Sequence, residues 1–237
     1  MSLKTSIILC TYNENKYIES TINNLNNSIS DLELVIVDDN SSDGTVDIIK
    51  KLNKDNKYKA VFRKKSRSLA SAFVRGITET TGDYIGWLDT NQSELAPKFN
   101  IMIKELEADS DIVIMSRYVK GGGDERLLLR SLASKYFNLF ARLILRIPIK
   151  DLTNSIFLMK RKVLDEVTFL GYGHGEFFFE FLYNAYKKGY KIKEIPHIQK
   201  RDQNAQDSKS APNLIRFFYY GVMYVLRIFS TILRRRN

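Results

Sequence analysis

The sequence predicts an α/β fold, a mixed but mainly parallel sheet flanked by helices. Short apolar runs rich in β-branched residues recur along the first 118 residues, and segments of helical length separate them, as in sheets buried on both faces. Acidic or polar groups follow three of these runs directly. Sheets of this class bind ligands there, outside the carboxyl ends of the strands.

Residues 5–10 form the first strand run, followed by 34–37, 60–62, 84–88 and 112–115. Helices are expected over 14–28, 43–53, 68–80 and 94–108, with Ser42 or Asp43 capping the second. The character then changes. Gly121-Gly122-Gly123 reads as a flexible hinge, and residues 126–149 as a helix rich in Leu, Phe and Arg. A strand at 156–159, a helix at about 174–188 and a strand running into Ile195-Pro196 follow, and residues 200–212 are polar and loop-like. No internal repeat or interdomain linker interrupts the chain.

Residues 213–236 predict one more helix. Arg216, Arg227 and Arg234 fall on a single stripe of an otherwise apolar wheel, and Arg234-Arg235-Arg236 forms a basic run at its end. Its uncharged stretch, residues 217–226, is roughly half of the ~20 residues needed to span a bilayer. The pattern fits an amphipathic helix lying in a membrane interface; the alternative is a helix docked on the protein's own core.

The 237 residues suffice for one generous domain with a single core. A lone cysteine, Cys10, excludes a disulfide framework, and two histidines cannot complete a Cys/His zinc cluster. No basic-then-apolar signal segment opens the sequence, so we expect a cytoplasmic protein. The net charge of +10 is concentrated in two blocks, 120–150 and 200–237, which implies an anionic partner.

Phosphate-loop, dinucleotide, zinc-protease and nucleophile-elbow motifs are all absent from the sequence. The acidic strand ends therefore need another explanation. One carboxylate can hold a base or ribose, and a second can hold Mg²⁺ or Mn²⁺ bridging a diphosphate. Taken singly, Asp38, Asp39 and Asp43 could equally cap and turn.

The motifs Ile7-Ile8-Leu9-Cys10-Thr11-Tyr12-Asn13-Glu14, Val35-Ile36-Val37-Asp38-Asp39-Asn40-Ser41-Ser42-Asp43-Gly44-Thr45 and Gly82-Asp83-Tyr84-Ile85-Gly86-Trp87-Leu88-Asp89 resemble those of family 2 glycosyltransferases of GT-A (Rossmann-like) fold. Ser116-Arg117-Tyr118 with the following glycines, Asp151-Leu152-Thr153-Asn154-Ser155-Ile156-Phe157, and the pairs Arg201-Asp202 and Ser208-Lys209 resemble the polyprenol-phosphate (dolichol-phosphate mannose synthase-like) glycosyltransferases. The resemblance implies a GT-A domain over 1–212, with a nucleotide-sugar half (1–118) and an acceptor half (119–212), and leaves 213–237 as the membrane-interface helix.

It further implies that Thr11, Tyr12, Glu14, Val37 and Asp39 hold the donor's base and ribose, with Thr90 beside them. Asp89 would be the catalytic metal and diphosphate residue, with Asn91 as second metal ligand to Mg²⁺ or Mn²⁺. Arg117 and Arg130 would face the acceptor phosphate, Arg201 and Lys209 the donor phosphates, and Asp151 would lie near the reacting sugar. Two departures stand out. Asn91 replaces the second aspartate of the family's D-x-D, and Ser66-Arg67-Ser68 replaces a glycine-bounded triplet before the third helix.

The implied reaction is inverting transfer of a sugar from a GDP- or UDP-linked donor to a dolichyl or undecaprenyl phosphate, on the cytosolic face of a membrane. A polyprenyl phosphate is already an anionic nucleophile and needs no general base. Transfer to a saccharide hydroxyl would need one, and Asp151 is the candidate. A nucleotide-sugar-binding scaffold without turnover is the non-enzymatic alternative. Nucleic acid is not expected as a partner, because the aromatic residues travel with apolar ones.

Overall fold

The computed structural model describes residues 3–65, 67–173, 175–201 and 214–234, the side chains of 214–218 excepted. The expected strand runs become β1 (Thr5–Thr11), β2 (Leu32–Asp38), β3 (Lys59–Phe62), β4 (Tyr84–Trp87) and β5 (Ile112–Ser116). Between them lie α1 (Ile18–Ser28), α2 (Thr45–Leu52), α3 (Leu69–Ile77) and α4 (Phe99–Ala108). Then follow β6 (Gly123–Asp124), α5 (Leu128–Leu145), β7 (Phe157–Lys160), α6 (Glu176–Lys187), β8 (Ile192–Pro196), β9 (Ile198–Gln199) and α7 (Leu214–Arg234).

The seven-stranded sheet runs β3-β2-β1-β4-β7-β5-β8, and β6 pairs separately with β9. Every pairing in the large sheet is parallel except the two made by β7, which is inserted antiparallel between β4 and β5. Gly86 makes that insertion possible: a Cβ there would lie 2.8 Å from both the Phe157 carbonyl oxygen and a Leu158 methyl.

Alternation along the strands divides the core between the two faces. Ile7 and Leu9 pack with residues of α1 and α4, while Ile8, Val35 and Trp87 pack with α3, α5, α6 and α7. The second core is strongly aromatic. Trp87 stacks on Phe73 at 5.0 Å and Phe177 at 5.7 Å, and Phe157 stacks on Phe178 at 4.9 Å.

Three expectations are corrected. The first helix starts at Ile18 rather than residue 14, because Asn13 takes a left-handed φ of 55° and the Glu14 carbonyl closes a turn onto the Tyr17 and Ile18 amides. The fourth opens as a 3₁₀ segment, Thr90–Lys98, which contains Pro97 and kinks at Gln92 before α4 begins. Gly121-Gly122-Gly123 is no free hinge. Gly123 belongs to β6, and a Cβ on Gly122 would meet the Ser116 carbonyl at 2.6 Å.

At the amino edge of the sheet, buried Glu33 accepts hydrogen bonds from the Ser6 hydroxyl, the Thr81 amide and the Lys4 and Lys59 ammonium groups. Burial pushes its carboxyl upward, but these donors together outweigh burial and hold it far below the ordinary carboxylate range. Such a group stabilises the fold above its unfolded pKa of 4.5, and that contribution is lost as pH falls through the native value. Glu33→Gln is expected to cost about 1.5–3 kcal/mol at pH 7. In urea titrations the gap to the unsubstituted protein should narrow steadily below pH 4.5.

Candidate active site

The carboxyl ends of β1 and β2 are fastened to one another. Asp38, fully buried, accepts the Thr11 hydroxyl at 2.8 Å and the Ser41 amide at 2.9 Å. Asn13 donates its amide to the Ser41 hydroxyl and accepts the Ser42 amide, each at 2.9 Å. The Glu14 amide reaches the Thr45 hydroxyl at 2.8 Å. Asp43, not Ser42, takes the first amide of α2, that of Thr45, at 3.1 Å, and also accepts from Asn15. Asp38 and Asp43 are thus the capping and turning residues of this edge.

Asp39 is different. Its carboxylate is gripped by Arg63 through Nε and Nη2 at 2.6 and 2.7 Å, and it also accepts the Ser68 amide at 3.2 Å. Arg63 stands at the end of β3, a strand end like those read from the sequence, and its role was missed there. Arg67 lies over the Tyr12 ring, 4.6 Å from its centroid. Val37 is fully buried within β2, so its side chain belongs to the core. Cys10, beside this edge, is held as a neutral thiol by burial and by the charges of Asp39 and Asp89.

Asp89 follows β4. Its side chain makes no hydrogen bond or ion pair among the described residues, and burial together with the nearby charge of Glu14 pushes its pKa up to about 6. Thr90 is buried, its carbonyl taken by the Thr21 hydroxyl at 2.6 Å, and Asn91 is exposed. Gln92 turns back toward Gln199 at 3.5 Å, and Gln199 contacts His197 at 3.2 Å. Gln92 Oε1 and His197 Nδ1 are buried without a hydrogen-bond partner among the described residues.

No three His, Cys, Asp or Glu side chains converge on a metal position among the described residues. What the site does offer is an uncompensated carboxylate, Asp89, repelled by Glu14, with the neutral Asn91 amide two residues on. That set fits a divalent cation whose remaining oxygen ligands come from a bound diphosphate. Asp89 and Asn91 are the residues that would hold it.

Toward β5 the arrangement differs from what the resemblance implies. Arg117 is 5% exposed and Asp151 wholly buried. Asp151 accepts Arg117 Nε at 2.8 Å, Nη2 at 2.7 Å and the Arg117 amide at 2.9 Å, with the Thr153 and Asn154 amides adding weaker bonds. Arg117 Nη2 also donates to the Thr153 hydroxyl at 2.6 Å, and Nη1 lies 3.6 Å from Asp124, which Arg126 grips in turn. Burial raises the Asp151 pKa, but the Arg117 charge and hydrogen bonds outweigh it and leave the group ionised. Arg117 is therefore a buried hub rather than an exposed phosphate ligand. Asp151, fully buried and hydrogen-bonded to Arg117 through both carboxylate oxygens, acts as a structural anchor. Arg130 is half-buried in the first turn of α5, and Arg201 is exposed beyond β9. Lys209 lies outside the described residues.

The family model for Glycosyl transferase family 2 matches residues 6–168. This chain belongs to glycosyl transferase family 2. Among curated relatives, it is 32% identical over 230 residues to a dolichol-phosphate mannosyltransferase of Pyrococcus furiosus. That alignment covers 92% of this chain and 63% of the relative, so the chain falls short of two thirds of that protein's length. It is 23% identical over 201 residues to a polyprenol monophosphomannose synthase of Mycolicibacterium smegmatis, covering 81% of this chain and 76% of the relative.

The fold matches glucosyl-3-phosphoglycerate synthase of Mycobacterium tuberculosis, solved with UDP, at a TM-score of 0.71. The match covers 97% of this chain and 80% of that one at 15% identity. Solved complexes of that synthase also contain Mg²⁺ or Mn²⁺ with UDP. The family 2 chain thus has the mixed, mainly parallel sheet expected of it.

The raised pKa of Asp89 has a stability consequence. An acid that ionises less readily when folded than when unfolded destabilises the fold increasingly as pH rises from 3.8 to about 6, and fully above that. Asp89→Asn is expected to stabilise the metal-free protein by about 1–3 kcal/mol at pH 7.5 and to leave it unchanged below pH 4. Thermal melts at the two pH values check this.

Proposed function

We propose that this family 2 chain transfers one sugar from a nucleotide-sugar to a polyprenyl phosphate at a membrane surface, with inversion at the anomeric carbon. The observation that carries this reading is the state of Asp151. Asp151, the base that transfer to a saccharide hydroxyl would call on, is locked against Arg117, so the site suits a nucleophile that arrives already ionised. The names of the Pyrococcus and Mycolicibacterium relatives support the same acceptor class.

In this mechanism a phosphate oxygen of the acceptor attacks the anomeric carbon. The bond from that carbon to the donor diphosphate breaks, and the nucleoside diphosphate departs with the electron pair. No proton needs to move. The fastened β1–β2 edge, with Thr11, Tyr12, Glu14 and Asp39, holds the nucleoside in place. Asp89 and Asn91 would hold Mg²⁺ or Mn²⁺, which would supply charge neutralisation for the departing diphosphate. Arg201 would add positive charge toward the donor phosphates, the role the sequence resemblance also gives to Lys209. Arg130 meets the acceptor phosphate, while Arg117, its charge taken up by Asp151 and Asp124, serves by fixing the end of β5.

The lipid-facing surface in this reading combines α5 and α7. Helix α5 exposes Leu128, Leu129, Leu132, Tyr136, Leu139 and Leu143, with Leu128 73% exposed. On α7, Tyr219, Val222, Leu226, Phe229 and Leu233 are exposed as well. The two helices pack against each other through Phe137 and Tyr224. Of the arginine stripe of α7, Arg227 is turned inward, away from this surface. Arg227 is 6% exposed and pairs with Glu180 of α6, as does Arg234, and Arg227 lies over the Tyr172 ring. Among the described residues no helix is long and apolar enough to cross a membrane. Adsorption by apolar contact, at the cytosolic face, is the mode that suits this surface.

Incubation with labelled GDP- and UDP-sugars and a short-chain polyprenyl phosphate is expected to give a lipid-linked sugar. Asp89→Ala is expected to abolish it. Sugar transfer to a saccharide hydroxyl, or tight donor binding without turnover, would overturn the assignment.

Membrane contact is tested separately by flotation. The protein is expected to float with zwitterionic vesicles nearly as well as with anionic ones, because Arg227 and Arg234 are engaged by Glu180. Leu129→Asp combined with Leu226→Asp should release it from both.

A further inference from the structure

Arg67 belongs to the triplet in which this chain departs from its family, and none of the roles assigned above uses it. Two neighbours in sequence are tied to the end of β2. Arg63 forks onto Asp39, donates to the Ser71 hydroxyl at 2.9 Å and reaches the Ser68 carbonyl at 3.1 Å, while the Ser68 amide binds Asp39. Both ends of the segment carrying Arg67 are therefore tied to one carboxylate at the end of β2. Arg67 itself is exposed and makes no hydrogen bond or ion pair among the described residues. Its contact is with Tyr12, 4.6 Å from the ring centroid.

A guanidinium is planar and weakly hydrated, and it stacks on π-systems through either face. An ammonium cannot do the same. Arginine and tyrosine planes are also the surfaces on which proteins stack bases. We propose that Arg67, laid on Tyr12 at the carboxyl edge of β1, is a nucleobase-contacting residue that forms one wall of the donor's base seat. This rests on the nucleotide-sugar reading above. The Asp39 anchors settle the segment before the ligand arrives, which lowers the ordering cost of binding. Stacking recognises any base, so Arg67 contributes affinity toward uracil and guanine alike, more for the larger purine face.

Calorimetric titration of the full chain with UMP, UDP, GMP and GDP, each with Mg²⁺, tests the proposal. Arg67→Ala is expected to weaken mono- and diphosphates of a given base by the same factor, roughly tenfold. Arg67→Lys, which keeps the charge and loses the plane, should resemble Arg67→Ala. Unchanged melting temperatures would show that both variants fold. A loss that grows with phosphate number, or full rescue by lysine, would make Arg67 a phosphate contact and overturn the proposal. Tighter binding in Arg67→Ala would mean that Arg67 blocks the seat, and an unchanged affinity would mean that it plays no part; either overturns it too. If the unsubstituted protein binds none of the four nucleotides, the nucleotide-sugar reading itself fails and this inference falls with it.

Discussion

The buried pair of Arg117 and Asp151 is the constraint on which the second half of the chain depends. Two ions removed from water are costly, and their attraction offsets that cost only when every remaining donor and acceptor is used. Here they are nearly all used. Asp151 accepts from the backbone of its own loop and from the Arg117 amide, and Arg117 spreads its guanidinium over Asp151, Thr153 and Asp124. Asn138 of α5 extends the set, donating to Thr153 at 2.9 Å and accepting the Leu152 amide at 2.6 Å. One ion pair thereby fixes the end of β5, the strand β6, the body of α5 and the loop entering β7. It also removes a proton acceptor from the site, which links the packing of this region to the chemistry it can perform.

The first half of the chain is organised by neutral and charge-assisted hydrogen bonds rather than by one pair. Thr11, Asn13, Ser41 and Thr45 fasten two strand ends to each other, and Arg63 and Ser68 attach the third to Asp39. Asp89 is the exception to this saturation. A carboxylate left uncompensated beside Glu14 is unfavourable for the isolated protein, and a cation bound with diphosphate would relieve it. Local destabilisation and ligand affinity are two aspects of the same residue.

Most of the architecture was legible in the sequence because the parallel strands are buried on both faces and read as unbroken apolar runs. Helix starts were less legible. The left-handed turn at Asn13 and the 3₁₀ segment before α4 are backbone conformations that apolar periodicity does not report. Gly121 to Gly123 misled because a glycine required by close backbone approach looks the same in sequence as one placed for flexibility. In the site, the acidic strand ends were legible as positions but not as roles. Asp38 and Asp43 turned out to bind backbone, while Arg117 found a buried partner 34 residues away, a pairing no local pattern encodes. The arginine stripe of α7 was visible on the wheel, yet only its partner Glu180 on α6 shows which way it faces.

The insertion of β7 gives the chain a folding problem of its own. Strands β4 and β5 lie next to each other in sequence, but in the sheet they are separated by a strand that begins at Phe157. Until that segment arrives, the inner edges of both strands stay unpaired, and the nascent sheet carries open apolar borders. During vectorial synthesis at about 5–20 residues per second, that interval lasts seconds. The segments before and after residue 118 are therefore interleaved parts of one cooperative unit. A break placed in the chain at residue 118 would leave two fragments, each lacking a neighbour that its central strands require.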